Sequence, residues 1–250
     1  MKKYIIWTYA AFYTAILLIG TVMKVFGIDA TILQIISAWI PTIVLLIIFP
    51  TLIKSKTRVE FIKDKFREKI NIKVIFLILG MYVLIVILGL VFGRLINNSP
   101  FQSQLSLSMP GVILVFVSGL IRGPMGEELG WRGYLLDKLS EKNNNLKSAV
   151  FLGLIWCFWH TLLWFVSGFT GTDLLAYIAA FLVIGISGSI IITFFYRLNN
   201  NLLIPMLIHQ LMNFTLAIQS NLVQGMLAMS VGYIIIAGLL IARNYKKILY

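Results

Sequence analysis

Apolar residues in this chain fall into eight blocks, at roughly 4–23, 31–53, 74–96, 110–126, 148–168, 174–196, 202–219 and 222–242. Each block approaches the ~20 residues that a helix needs to cross a ~30 Å hydrocarbon layer. Hydrocarbon offers no partner to backbone N–H and C=O groups, so segments of this length fold as helices that satisfy themselves. A chain with 60% hydrophobic and 12% charged residues also carries more apolar surface than a soluble core of its size buries. The blocks therefore predict an all-α polytopic membrane protein with eight transmembrane helices in one domain, 1–250. Residues 1–23, with Lys2 and Lys3 ahead of an apolar run, resemble a signal peptide. No A-x-A-like cleavage site follows and seven more blocks do, so they read as a retained helix.

Charge placement orients the bundle. With an even span count, every Lys and Arg except Lys24 and Arg94 falls on one side. The positive-inside rule makes that side the cytosol and puts both termini there. The net charge of +12 is thus accounted for without nucleic acid. Segment 54–73, "KSKTRVEFIKDKFREKINIK", mixes its cations with Val59, Phe61, Ile62, Phe66 and Ile70. It reads as an amphipathic helix on anionic lipid headgroups, or else as a solvated basic loop. Cys157 is the only cysteine, so no disulfide forms within the chain.

Polar residues at membrane depth are costly and mark functional candidates. Residues 110–133, "PGVILVFVSGLIRGPMGEELGWRG", place Arg122, Glu127, Glu128 and Arg132 around one end of an apolar run. Glu128 and Arg132 stand four apart and share a helix face, whereas Glu127 is rotated about 100° away. The two glutamates therefore serve different neighbours, with Glu128 paired to Arg132. Gly123, Pro124 and Gly126 loosen the helix, and Gly130 and Gly133 permit close helix approach.

The chain has two histidines, and both lie in apolar blocks. His160 sits in "IWCFWHTLLWF"; His209 sits in "IPMLIHQLMNF", with Asn213 one turn on and facing the same way. The fourth, fifth and seventh blocks are expected to bring Glu127, His160, His209 and Asn213 to one depth. A glutamate to activate water, histidines to position or polarise, and an amide to hold an oxyanion are the parts of a peptide-hydrolysing site. Glu127, His160 and His209 would equally serve as ligands of a catalytic divalent metal such as Zn2+. No H-E-x-x-H zinc helix occurs. Both a metal-bound and a bare water remain open.

The ordered set E-E-x-x-x-R (Glu127, Glu128, Arg132), an aromatic four residues before a histidine (Trp156, His160), and H-x-x-x-N (His209, Asn213) resembles the CPBP family. These are the CAAX proteases and bacteriocin-processing enzymes, also called Abi proteins, related to type II CAAX prenyl endopeptidases. The resemblance covers roughly residues 110–219, the expected catalytic core. Trp156 stands where that family has Phe, an aromatic exchange expected to preserve packing.

The resemblance implies an intramembrane endopeptidase in which Glu127 is the general base and His160 helps hold the attacking water. His209 and Asn213 would stabilise the oxyanion, while Glu128, Arg132 and Trp156 orient them. Metalloprotease and metal-free glutamate mechanisms both fit the pattern. The expected partners are membrane lipids and a membrane-associated peptide or protein, with peptide processing or bacteriocin self-immunity as the setting in a prokaryotic plasma membrane. A non-catalytic binding or immunity protein is the alternative. A rhomboid-like serine protease using Ser187 of "GISG" is a lesser one, because Gly185, Gly188 and Ser189 also read as a packing face.

Overall fold

The computed structural model describes residues 1–27, 30–106, 109–244 and 249. In chain order the helices are α1 (Lys2–Phe26), α2 (Ala30–Leu52), α3 (Arg58–Lys65), α4 (Ile72–Asn97), α5 (Phe101–Gln104), α6 (Met109–Ile121) and α7 (Pro124–Gly130). A π-helical turn (Trp131–Leu135) joins α7 to α8 (Leu136–Ser140). Then come α9 (Asn145–Trp159), α10 (Thr161–Phe165), α11 (Gly171–Leu198), α12 (Leu203–Ala217) and α13 (Leu222–Asn244). The all-α expectation holds among the described residues. Lys246 and Lys247, counted in the charge bias, lie outside them.

Among the described residues five helices are long and apolar enough to cross a membrane: α1, α2 over 35–52, α4, α11 and α13. Eight full-length spans were expected, and the three that differ are the ones carrying the polar residues. Block 110–126 is interrupted between α6 and α7, and block 148–168 is interrupted at His160 between α9 and α10. The 15 residues of α12 reach only ~22 Å at 1.5 Å per residue.

Broken helices expose backbone carbonyls, which hydrocarbon cannot satisfy. Here distant side chains do so. Trp39 Nε1 donates to the Ile121 carbonyl at the α6–α7 break, at 3.0 Å. Tyr9 and Tyr13 of α1 donate to the carbonyls of Ile155 and Phe158, just ahead of the His160 break. In α2, Pro50 has no N–H to give the Leu46 carbonyl four residues back, and Arg58 Nε occupies that carbonyl at 2.7 Å.

Segment 54–73 corrects the expectation of one long amphipathic helix. Between Lys54 and Asn71 only Arg58–Lys65 is helical, started by a capping box between Thr57 and Glu60. Backbone and hydroxyl hydrogen bonds from Thr57 hold the Glu60 carboxyl below its usual pKa. The helix stops because Asn199 and Asn201, between α11 and α12, capture the residues that follow. Asn201 Nδ2 donates to the carbonyls of Phe66 and Glu68, at 3.1 and 2.6 Å. Asn199 donates to the Glu68 carboxylate at 2.7 Å and accepts from the Asn71 backbone N–H at 2.8 Å. Carbonyls committed sideways cannot continue a helix. Nearby, Asp137 bridges Lys65 and Arg197, at 2.5 and 3.1 Å. This basic end of the bundle is thereby tied to α8, α11 and the start of α12.

Two glycines set how α7 meets α2. A Cβ on Gly126 would stand 2.5 Å from the Ala38 carbonyl oxygen, and one on Gly130 would meet Tyr4 Oη and the Pro41 backbone. Four positions apart on the helix, they let main chain touch main chain. Gly133, expected to share this role, has no such backbone contact.

Candidate functional site

The stretch after the α6–α7 break places its glutamates side by side and aims them apart. Both are buried, at 4% exposure for Glu127 and 0% for Glu128. Glu127 Oε2 accepts the indole N–H of Trp156 at 2.6 Å. Glu128 Oε1 accepts Arg132 Nη1 at 2.8 Å and His209 Nδ1 at 2.7 Å. The expected Glu128–Arg132 pair is present across the π-helical turn. The hydrogen bond from His209 to Glu128 is an addition, because no sequence spacing connects residues 81 apart.

Hydrogen-bond logic fixes the histidine nitrogens. A carboxylate accepts and does not donate, so His209 Nδ1 carries a proton and its Nε2 is left for the site. His160 Nδ1 lies 2.8 Å from the Trp156 carbonyl, which likewise only accepts, so Nε2 of neutral His160 is the acceptor nitrogen. The residues on either side of His209 are also fixed. The Ile208 carbonyl accepts from Tyr82 at 3.0 Å, and Gln210 Nε2 donates to the Phe116 carbonyl at 2.6 Å.

Gly123 measures the convergence. A Cβ built there would stand 2.8 Å from Asn213 Nδ2, 3.6 Å from His209 Nε2 and 3.8 Å from Glu127 Oε1. Three polar atoms from α7 and α12 thus surround one small space beside Gly123. On one side lies a cavity of about 550 Å³, where Glu127 and His160 face Arg122 and the apolar residues Phe12, Trp159 and Leu163. On another lies a cavity of about 260 Å³ lined by Asn213, Gln210, Phe214 and, again, Arg122.

Trp156 is the residue whose role the sequence most understated. Its ring stands edge-on to His209 and His160, with centroids 4.9 and 5.8 Å away. The Arg132 guanidinium lies over it at 4.6 Å, a cation–π contact. Packing was the expected role, and the N–H to Glu127 is more than packing: phenylalanine has no donor to offer there. The exchange of Trp for Phe was itself the available signal, because an indole adds one polar atom to an otherwise equivalent ring.

Ser187 is buried and lines neither cavity. Gly185 packs against Cys157 and Gly188 approaches Met212, consistent with a packing face. Among the described residues no three His, Cys, Asp or Glu side chains are grouped to hold a metal ion. The atoms that would hold a divalent metal are Glu127 Oε1 and Nε2 of His160 and His209, whose Nδ1 atoms are anchored on a carbonyl and a carboxylate.

An all-helical chain with five membrane-length helices and a polar site enclosed among them is an integral membrane protein. Residues 108–215 match the family model for Type II CAAX prenyl endopeptidase Rce1-like proteins. The chain is also similar to CAAX prenyl protease 2 of Methanococcus maripaludis, with 33% identity over 118 residues. That alignment covers 45% of this chain and 43% of the relative, so less than half of either protein is matched. Through this segment the chain is similar to the Rce1-like CAAX endopeptidases.

Proposed function

We propose that the protein is an intramembrane endopeptidase that hydrolyses peptide bonds of membrane-associated peptides or proteins, using water activated by Glu127. The observation that carries this reading is the convergence of Glu127 Oε1, His209 Nε2 and Asn213 Nδ2 around Gly123. It assembles a base and two potential oxyanion donors from separate helices. The apolar wall of the larger cavity suits a substrate held by the bilayer, such as a lipid-anchored peptide or a small peptide precursor. Both termini and the basic end of the bundle then face the cytosol.

Water in the larger cavity gives a proton to Glu127 Oε1 while its oxygen attacks the scissile carbonyl carbon. His160 Nε2 accepts the second water hydrogen and sets the line of attack. Negative charge gathers on the former carbonyl oxygen, where Asn213 Nδ2–H donates to it. His209 adds a second donor when its ring is doubly protonated, since its Nδ1–H already serves Glu128. Protonated Glu127 then delivers its proton to the leaving nitrogen, the C–N bond breaks, and acid and amine products separate. Trp156 donates to the other carboxylate oxygen throughout and keeps Oε1 turned toward the water.

Two variants test this assignment on purified protein with a membrane-held peptide. Asn213→Ala is expected to lower kcat by about 10²-fold, the usual cost of one oxyanion donor, with KM little changed. Full activity in that variant would remove Asn213 from the chemistry. Trp156→Phe keeps the ring and deletes the N–H. Charge-assisted hydrogen bonds contribute on the order of 1.5–3 kcal/mol, so a drop in kcat of about tenfold or more is expected. A Trp156→Phe protein matching wild type in kcat would reduce the indole to packing.

A further inference from the structure

We propose that the elbow between α2 and α3 is a discrete binding site for one anionic phospholipid. This inference rests on the membrane-embedded fold and not on hydrolysis, so the two readings stand or fall separately. A groove of about 600 Å³ opens there, with Phe49, Pro50, Ile53 and Val59 as apolar walls and Lys54, Lys56 and Arg58 at its edge.

The position in the chain matters. The apolar stretch of α2 ends at Leu52, so the groove sits where hydrocarbon gives way to headgroups. An acyl chain along Phe49 and Ile53 would leave its phosphate level with the cations. Lys3 adds a fourth positive charge at this elbow, with Nζ 3.3 Å from Thr51 Oγ1. Among the described residues Asp64 bridges Lys56, both groups being partly exposed, and the Glu60 carboxylate sits on Thr57 within reach of Lys56. The four cations therefore outnumber the two carboxylates near the groove.

The groove is also built rather than incidental. Pro50 strips the Leu46 carbonyl of its helical donor, and Arg58 Nε docks on that carbonyl, which anchors the guanidinium stem. Phe61 packs edge-on to Phe49 at 5.4 Å, so α3 is held against the end of α2. Asn199 and Asn201 pin the segment that follows α3. A basic loop that only coated the headgroup layer would need none of these restraints.

The test uses full-length protein in neutral detergent, titrated with phosphatidylglycerol or phosphatidylcholine and read by native mass spectrometry. Wild type is expected to retain one phosphatidylglycerol in preference to phosphatidylcholine. A surface cation contributes about fivefold to such binding, so Lys54→Gln/Lys56→Gln should weaken phosphatidylglycerol about 25-fold. Lys54→Arg/Lys56→Arg should bind like wild type, and the remote pair Lys24→Gln/Arg94→Gln, at the far ends of α1 and α4, should stay within about twofold of it. Equal retention of both lipids, an unaltered affinity in the groove variant, or an equal loss in the remote variant would overturn the site. Displacement of the lipid by soluble glycerol phosphate would do so too, because the apolar walls require an acyl chain.

Discussion

Glu127→Gln is expected to lower peptide cleavage by on the order of 10³–10⁴-fold while leaving the fold intact. The exchange changes almost no volume, and glutamine keeps an oxygen to accept the Trp156 indole N–H now bound at 2.6 Å. What disappears is the ability to take a proton from water. Among the described residues the neighbouring carboxylate cannot stand in, because Glu128 is aimed at Arg132 and His209. The measurement is mass-spectrometric product formation from a membrane-held peptide, with thermal melting run alongside. Wild-type turnover in Glu127→Gln would end the proposed mechanism. Loss in Ser187→Ala alone would move the chemistry to the serine.

Glu128→Ala is expected to cost stability rather than only rate, by about 3–5 kcal/mol. Both side chains of the Glu128–Arg132 bridge are 0% exposed. Removing the carboxylate strands a guanidinium that keeps only its contact with the Trp156 ring. Arg132 Nε and Nη2 already have no hydrogen-bond partner among the described residues, so no spare acceptor is at hand. His209 loses the acceptor at Nδ1 in the same step and is freed to change tautomer. The double variant Glu128→Ala/Arg132→Met should recover much of the stability, since it leaves no unpaired charge, but not the activity. Denaturation in mixed micelles gives the first quantity and the cleavage assay the second. A single Glu128→Ala variant as stable as wild type would show that Arg132 finds another partner.

Sequence patterns reveal this site unevenly. The separate aims of Glu127 and Glu128 follow from a one-residue offset on a helix, and the Glu128–Arg132 pair from a spacing of four. Both rules are local, and the structure obeys them. Apolar content marked the apolar blocks but could not show where the fourth and fifth would break. The groups that stabilise those breaks, Trp39, Tyr9 and Tyr13, lie 82 to 146 residues away in the chain. Segment 54–73 failed as a long helix for the same reason: its competitor was the Asn199–Asn201 pair, over 130 residues on. The hydrogen bond from His209 to Glu128 was equally invisible. Trp156 differs, because the clue was in plain sight. An indole in place of a phenyl ring adds a donor, and a donor beside a buried glutamate finds it.

The contact of Gly126 and Gly130 with α2 also bears on how this protein can diverge. Ser37 and Ala38 of α2 form one wall of the larger cavity, and Glu127 projects from α7 on the other. Their separation is set by two backbones in direct touch, not by the lengths of intervening side chains. Rotamer changes and conservative core exchanges therefore leave the mouth of the cavity at the same width. New substrate preferences can arise from Phe12, Leu163 or Tyr177 around its rim, where side chains face the space. Residues 126 and 130 have no such latitude, since the smallest addition at either moves a whole helix.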